Sequence, residues 1–153
     1  MRIVPATEEG AMDVARNLRA ADRFELQAAE GRHPQIACIS AFVESDVAIG
    51  IEGDDGQPCG LAGVNGHFIW MLGTDALTGT PSHRRQLARG ARGWIDSLVH
   101  DRMQSSGVVL LHNWVCAKNL ESVRWLKSLG FEVFPPEPHG PSCQLFHYFR
   151  LKM

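Results

Sequence analysis

The sequence predicts an α/β fold: a mixed, mostly antiparallel sheet flanked by helices on both faces. Three observations carry this expectation. Short apolar runs separated by the turn signals Gly53-Asp54-Asp55-Gly56 and Asn65-Gly66 read as a meander of strands. Leu87, Ala91, Trp94, Leu98 and Val99 then form the apolar stripe of a long helix, the pattern of a helix packed on a sheet. After it, Val108-Val109-Leu110-Leu111 has the length and continuity of a central strand buried on both faces. Strands that alternate with helices after a meander need helices on both sides of the sheet.

Element by element, the expected order is β-αα-βββ-α-β-α-ββ. Ile3 to Ala6 is a short apolar segment closed by Thr7. Thr7 caps a helix from about Glu8 to Ala29, with Glu8 and Glu9 in its first turn and Ala11, Ala15 and Leu18 at helical spacing. Gly31 stops it, and Pro34 opens a second helix that runs to Ser45. Strands follow at Val47 to Ile51, Cys59 to Val64 and His67 to Leu72, the last ended by Gly73. Thr74 to Pro81 is irregular. The long helix runs from Ser82 to Arg102, and the strand at Val108 comes next. A helix from Leu120 to Leu129 ends at Gly130, where a left-handed C-cap residue is wanted. Phe131 to Phe134 is a strand, Pro135 to Pro141 a proline-rich loop, and Gln144 to Leu151 a last strand. Its run Phe146-His147-Tyr148-Phe149 reads equally as a buried strand or as a sheet edge open to a partner.

Length and composition bound what this fold can do. A chain of 153 residues is the size of one domain, expected here over 1–153, and it can bury a core without disulfides or metal. A net charge of −2 argues against nucleic acid as the main partner. Twelve of the fifteen basic residues are Arg, which fits genome bias or planar phosphate-binding groups; their scatter favours bias. No export signal is expected at the N-terminus, and no run approaches the roughly 18 apolar residues of a membrane span. Cys38, Cys59, Cys116 and Cys143 are far apart without metal-type spacing and read as free thiols in a reducing compartment. The seven histidines show no metal spacing, so no metal is expected, and His112 and His147 read as structural residues. No Walker loop, paired-glycine dinucleotide fingerprint or nucleophile elbow is present.

The segment Asn119-Leu-Glu-Ser122-Val-Arg-Trp125-Leu126-Lys-Ser-Leu129-Gly130-Phe131 resembles the late motif of the GNAT N-acetyltransferases. In that motif an Asn opens a helix and a Gly-Phe pair closes it. The element order on either side agrees with the GNAT order over essentially the whole chain. More narrowly, three pieces resemble the gene-thirteen internal virion (virion-assembly) proteins of short-tailed, T-seven-type phages, which have a GNAT-like fold. They are Ala21-Asp22-Arg23-Phe24-Glu25, Trp70-Met71-Leu72-Gly73-Thr74-Asp75 and the Asn119 to Phe131 segment. This resemblance implies a virion-assembly role by protein–protein binding, with phage structural proteins as partners. It places the chain in the cytoplasm of the infected host, with the virion as a second location and self-association left open. The alternative is an acyl-CoA-dependent N-acetyltransferase acting on a small amine or a protein amine.

Two features set the chain apart from working GNAT enzymes. Those enzymes bind the CoA pyrophosphate with backbone N–H groups at the start of the long helix, where bare glycines let the phosphates approach. Here the nearest register is Gln86-x-x-Arg89-x-Ala91, with Arg in place of the first Gly. Many of them also carry a Tyr seven residues after the late Asn, as proton donor to the CoA thiolate. That position is Leu126, beside Trp125, and the only tyrosine is Tyr148. The resemblance therefore implies a degenerate acetyl-CoA site.

If acetyl-CoA binds, the resemblance implies Met71, Leu72 and Gly73 beside it, with Arg84, Arg85, Arg89 and Asn119 completing the site. Arg85, Arg89 and Arg92 share one helix face, which reads as a phosphate site for CoA, nucleotide or nucleic acid, or as a solvated face. Asp22 and Glu25 border the acceptor cleft in the GNAT layout and are the candidate catalytic carboxylates; the competing reading is helix-surface charge. Asp75 reads as a turn cap. Trp70, Trp94, Trp114 and Trp125 read as core and interface.

Overall fold

The computed structural model describes residues 1–153. Its strands are β1 (Arg2–Pro5), β2 (Val47–Glu52), β3 (Pro58–Asn65), β4 (Phe68–Gly73), β5 (Leu110–Cys116), β6 (Glu132–His139) and β7 (Gln144–Lys152). They form one seven-stranded sheet in the order β1-β2-β3-β4-β5-β7-β6. Every neighbouring pair is antiparallel except β4 and β5, which run parallel. The mixed, mostly antiparallel sheet is therefore as the sequence predicts.

The helices are α1 (Glu8–Arg16), α2 (Ala20–Glu30), α3 (Pro34–Glu44), the single turn α4 (Asp75–Thr78), α5 (Pro81–Ser106) and α6 (Leu120–Ser128). They cover both faces. Ile95 and Leu98 of α5 and Val123 of α6 pack with Val64, Ile69, Leu111, Val115 and Phe149 on one side. Ala11, Val14 and Ala15 of α1 and Cys38 of α3 pack with Leu61 and Leu72 on the other. The alternation of β3 and β4 explains the split, since neighbours along a strand point to opposite faces.

Four expectations need correction. The first helix is two. Leu18 is 2% exposed and bridges Thr74, while the Arg19 N–H donates to Gly73 O at 2.9 Å. That tertiary pairing breaks a pattern that reads as continuous, and α1 and α2 meet at a bend. Second, the irregular stretch before the long helix contains α4. Third, the fifth strand begins at Leu110, not Val108, which is 55% exposed. Fourth, the proline-rich segment is strand from Pro135 to His139, within β6, and only Gly140 and Pro141 are turn; a register shift falls between Val133 and Pro136. β6 is a sheet edge, where a missing N–H costs no ladder bond. Consequently β7 sits between β5 and β6, so the aromatic strand is an interior strand and not an open edge. No helix is long and apolar enough to cross a membrane.

Candidate functional site

β4 and β5 part at the centre of the sheet. They share the single register pair Phe68↔His112, and the His112 N–H donates to His67 O at 2.9 Å. One residue on, a side chain takes over. Asn113 Nδ2 donates to Ile69 O at 2.8 Å, and its Oδ1 accepts the Trp114 N–H at 2.8 Å. A side chain wedged between strands holds them beyond the ~4.8 Å of backbone pairing, and beyond it β4 and β5 diverge. The β3–β4 register and the Thr74 N–H bond to Cys59 O turn Ile69, Met71 and Gly73 toward the gap. Met71 therefore presents its N–H and C=O there with no strand opposite.

α2 lies across the open end and ties down both strands. Asp22 is 3% exposed, so it is no surface charge. It forms a two-pronged pair with Arg19 (3.0 Å for each bond) and accepts the Gly73 N–H at 2.8 Å. Three residues on, one helical turn along the same face, Glu25 reaches the other strand. Its Oε1 accepts the Cys116 N–H at 3.0 Å and Asn119 Nδ2 at 3.2 Å. Burial raises the Glu25 carboxyl to about 7; the bonds from Asn119 and Cys116 oppose the rise, and the Asp22 charge adds to it. A carboxyl that titrates near neutrality can take up or release a proton around pH 7.

Asn119 has two tasks. Its Oδ1 caps α6 by accepting the Ser122 N–H at 3.2 Å, and its Nδ2 holds Glu25. The capping expected from the sequence is present, and the contact with α2 is what only the fold supplies.

Cavities approach the gap from both faces. On the α5 and α6 face a cavity of about 430 Å³ is lined by 21 residues, 17 of them hydrophobic. On the α2 and α3 face a cleft of about 380 Å³ has aromatic walls, including Phe68, Trp70 and Trp114, and the carboxyls of Glu25, Glu30 and Glu44. Burial raises the Glu30 carboxyl, with Arg32 opposing and Glu44 adding. The two spaces share Ile69, Trp70, Met71, Trp125, Leu126 and Phe149. The gap thus has a cavity on each face, and Trp125 and Leu126 line both.

The start of α5 is closed by comparison. Pro81 has no N–H, the His83 N–H donates to Thr80 Oγ1 at 3.1 Å, and the Arg84 N–H donates to Thr80 O at 3.0 Å. Gln86 to Ala91 lie inside the helix, where N–H groups close i→i−4 bonds. Only Ser82 leaves a donor free. The arginines there have separate fates. Arg84 donates to Thr78 O at 3.0 Å and lines a groove with Arg19, Met71 and Asn119. Arg85 is exposed, Arg89 borders the apolar cavity, and Arg92 donates to Ser128 O at 2.8 Å. The face shared by Arg85, Arg89 and Arg92 is therefore not a single free patch.

Of the three β4 residues predicted beside a coenzyme, Met71 faces the gap. Leu72 is buried against α1 and α3, and Gly73 has its N–H and C=O engaged by Asp22 and Arg19. Asp75 opens α4 and is exposed, with no capping bond of its own. Sequence reasoning missed Asn113 and Arg19. A lone Asn inside the strand Leu110–Cys116 was the available signal for the first.

No protein-family model matches the chain, and no curated protein matches it. Solved structures do. An acetyltransferase candidate from Acinetobacter baylyi is similar with a TM-score of 0.66 at 15% identity, covering 99% of this chain and 92% of that one. A GNAT superfamily phosphinothricin acetyltransferase from Sinorhizobium meliloti, in complex with AcCoA, has a TM-score of 0.64 at 10% identity, with 99% and 88% covered. A ribosomal-protein-alanine N-acetyltransferase from Brucella melitensis has a TM-score of 0.59 at 15% identity over 100% of both chains. The chain has the GNAT acetyltransferase fold. Nothing in these comparisons supports the phage virion-protein resemblance.

Proposed function

We propose that this chain is an acyl-CoA-dependent N-acyltransferase that acylates an amine. One observation carries the reading: a gap between β4 and β5 that opens to both faces, with the Met71 backbone edge on one side and Glu25 at its rim. The acyl donor enters from the α5 and α6 face, and the amine from the acidic, aromatic cleft. Carboxylates and aromatic faces together suit a cationic amine.

The thioester supplies an activated acyl group. The Met71 N–H donates to its carbonyl oxygen, a bond worth most where charge develops. The Glu25 carboxylate accepts a proton from the ammonium form of the acceptor and frees its lone pair. As the N–C bond forms, the C–S bond breaks and its electron pair leaves with sulfur. The second amine proton ends on that thiolate through solvent, since Trp125 and Leu126 offer no acid. Asn119 positions Glu25, and Asp22 with Arg19 positions α2. Arg84, Arg85 and Arg89 meet the phosphates with side chains, in place of the backbone donors that Thr80 and Pro81 remove.

The test begins with the melting midpoint, with and without acetyl-CoA. A ligand at 100 times its Kd stabilises the fold by about 2.7 kcal/mol, which raises Tm by several degrees. CoA release on adding amines then reports turnover, and Glu25→Gln lowers it about a hundredfold. If neither CoA nor any of its thioesters shifts Tm, the reading fails, and the virion-assembly role implied by the sequence resemblance becomes the one to test by co-purification.

A further inference from the structure

We infer that the donor carries a medium-length, unbranched acyl chain, which lies in the apolar cavity under α5. The inference rests on the acyltransferase reading above and extends it from the thioester to the chain attached to it. The cavity does not stop at the gap. It runs from Met71 and Trp125 beside β4 to Ile49 on β2 and Ile3 on β1. β1 is three strands from β4, about 14 Å at the usual strand spacing. A thiol arm lying in the gap beside β4 does not reach that far, so the distal arm of the cavity is left for something joined to it. At about 1.3 Å of advance per C–C bond, a chain of roughly ten carbons spans the distance.

The lining points the same way. At the β1 end the one polar side chain of the lining is Arg2, whose guanidinium is paired with Glu52 at 2.7 Å, and Gln86 and Arg89 lie on α5. An apolar space of about 430 Å³ has the size of a small-molecule site. Gly90 keeps the floor open: a Cβ there stands 3.4 Å from Ile3 Cδ1, so any larger side chain enters the same space. The chain could arrive as a thioester or as a free fatty acid. Continuity with the gap at Met71, Trp125 and Leu126 assigns it to the thioester.

The experiment compares CoA, acetyl-CoA, butyryl-CoA, octanoyl-CoA and sodium octanoate by titration calorimetry on the whole chain. Affinity is expected to climb along the thioesters, by up to about fourfold for each added methylene. Two plugs on separate elements, Ile49→Trp and Gly90→Leu, flatten the climb and leave acetyl-CoA binding unchanged; their Tm values check that each folds. Equal affinity for acetyl-CoA and octanoyl-CoA overturns the inference and leaves the acyltransferase reading standing. Octanoate binding as tightly as octanoyl-CoA overturns the assignment to a thioester. Failure of CoA and every thioester to bind removes the acyltransferase reading, and this inference with it.

Discussion

The two ends of the proposed donor site are built in opposite ways. At the β4–β5 gap, backbone groups are left free and side chains hold the space open. Asn113 wedges the strands apart, and Asp22 and Glu25 fasten their ends to α2. At the start of α5, Thr80 and Pro81 close off the groups that a helix N-terminus would offer an anion. The reacting centre needs fixed backbone donors, because a charge that exists only in passing rewards donors already in place. A phosphate is charged throughout and can be met by flexible guanidinium groups. The contrast explains how a chain without the glycine pattern can still present a furnished gap.

The largest expected effect tests the fastening. Asp22→Ala leaves Arg19 partly buried without its partner and the Gly73 N–H without an acceptor. A cost of about 3 kcal/mol follows, read as a lower midpoint in chemical denaturation, together with loss of acetyl-CoA binding. A variant as stable as the parent would separate α2 from the gap and undo the comparison.

Next is the reacting centre. Glu25→Gln keeps an Oε1 acceptor for Cys116 and Asn119 but cannot take a proton. Turnover should fall about a hundredfold, with little change in acetyl-CoA affinity. The parent's kcat/KM should rise with pH through about 7, as the carboxyl ionises, and the variant should lose that rise. A retained pH profile would assign the base elsewhere.

The phosphate end should respond more weakly. Arg85→Ala and Arg89→Ala each weaken acetyl-CoA by about tenfold, the worth of a charged hydrogen bond. Acetyl-pantetheine, which lacks the nucleotide phosphates, should bind both variants as well as the parent. Equal losses for the two ligands would mean that these arginines do not meet phosphate.

The last effect is on how stability varies with pH. Because the folded Glu25 carboxyl titrates at about 7, above its ordinary 4.5, the folded chain binds more protons than the unfolded one between those values. Its contribution is fully present below about 4.5 and is lost as pH rises through about 7. Glu25→Gln should therefore gain in Tm relative to the parent between pH 5 and pH 8. A constant difference between the two proteins would contradict a raised carboxyl.

Much of the architecture is legible in the sequence, because local signals and tertiary packing agree there. Thr7, Gly31, Pro34 and Gly130 mark helix ends where the structure has them, and the turns at Gly56 and Gly66 take positive φ. Where they disagree, a long-range contact wins. The first helix breaks at Leu18 because Leu18 and Arg19 pair with the end of β4, more than fifty residues away. The prolines after Phe134 read as a loop, yet an edge strand tolerates them. The site divides along the same line. Asp22, Glu25, Met71 and Asn119 can be singled out from the sequence, and nothing local says that Asp22 is buried or that Glu25 bonds β5.

By itself, then, the sequence determined the order of the seven strands, the places where helices interrupt them and the absence of a glycine-lined phosphate loop. These follow from periodicity, capping and residue identity, which act over a few residues. Only the tertiary structure decided that β4 and β5 part, that α2 spans their ends, and that two cavities meet at Met71. Those features depend on bonds such as Asn113 to Ile69 and Glu25 to Cys116, between residues 44 and 91 positions apart. The raised carboxyl of Glu25 has the same origin, since it comes from burial under elements that the local sequence does not name.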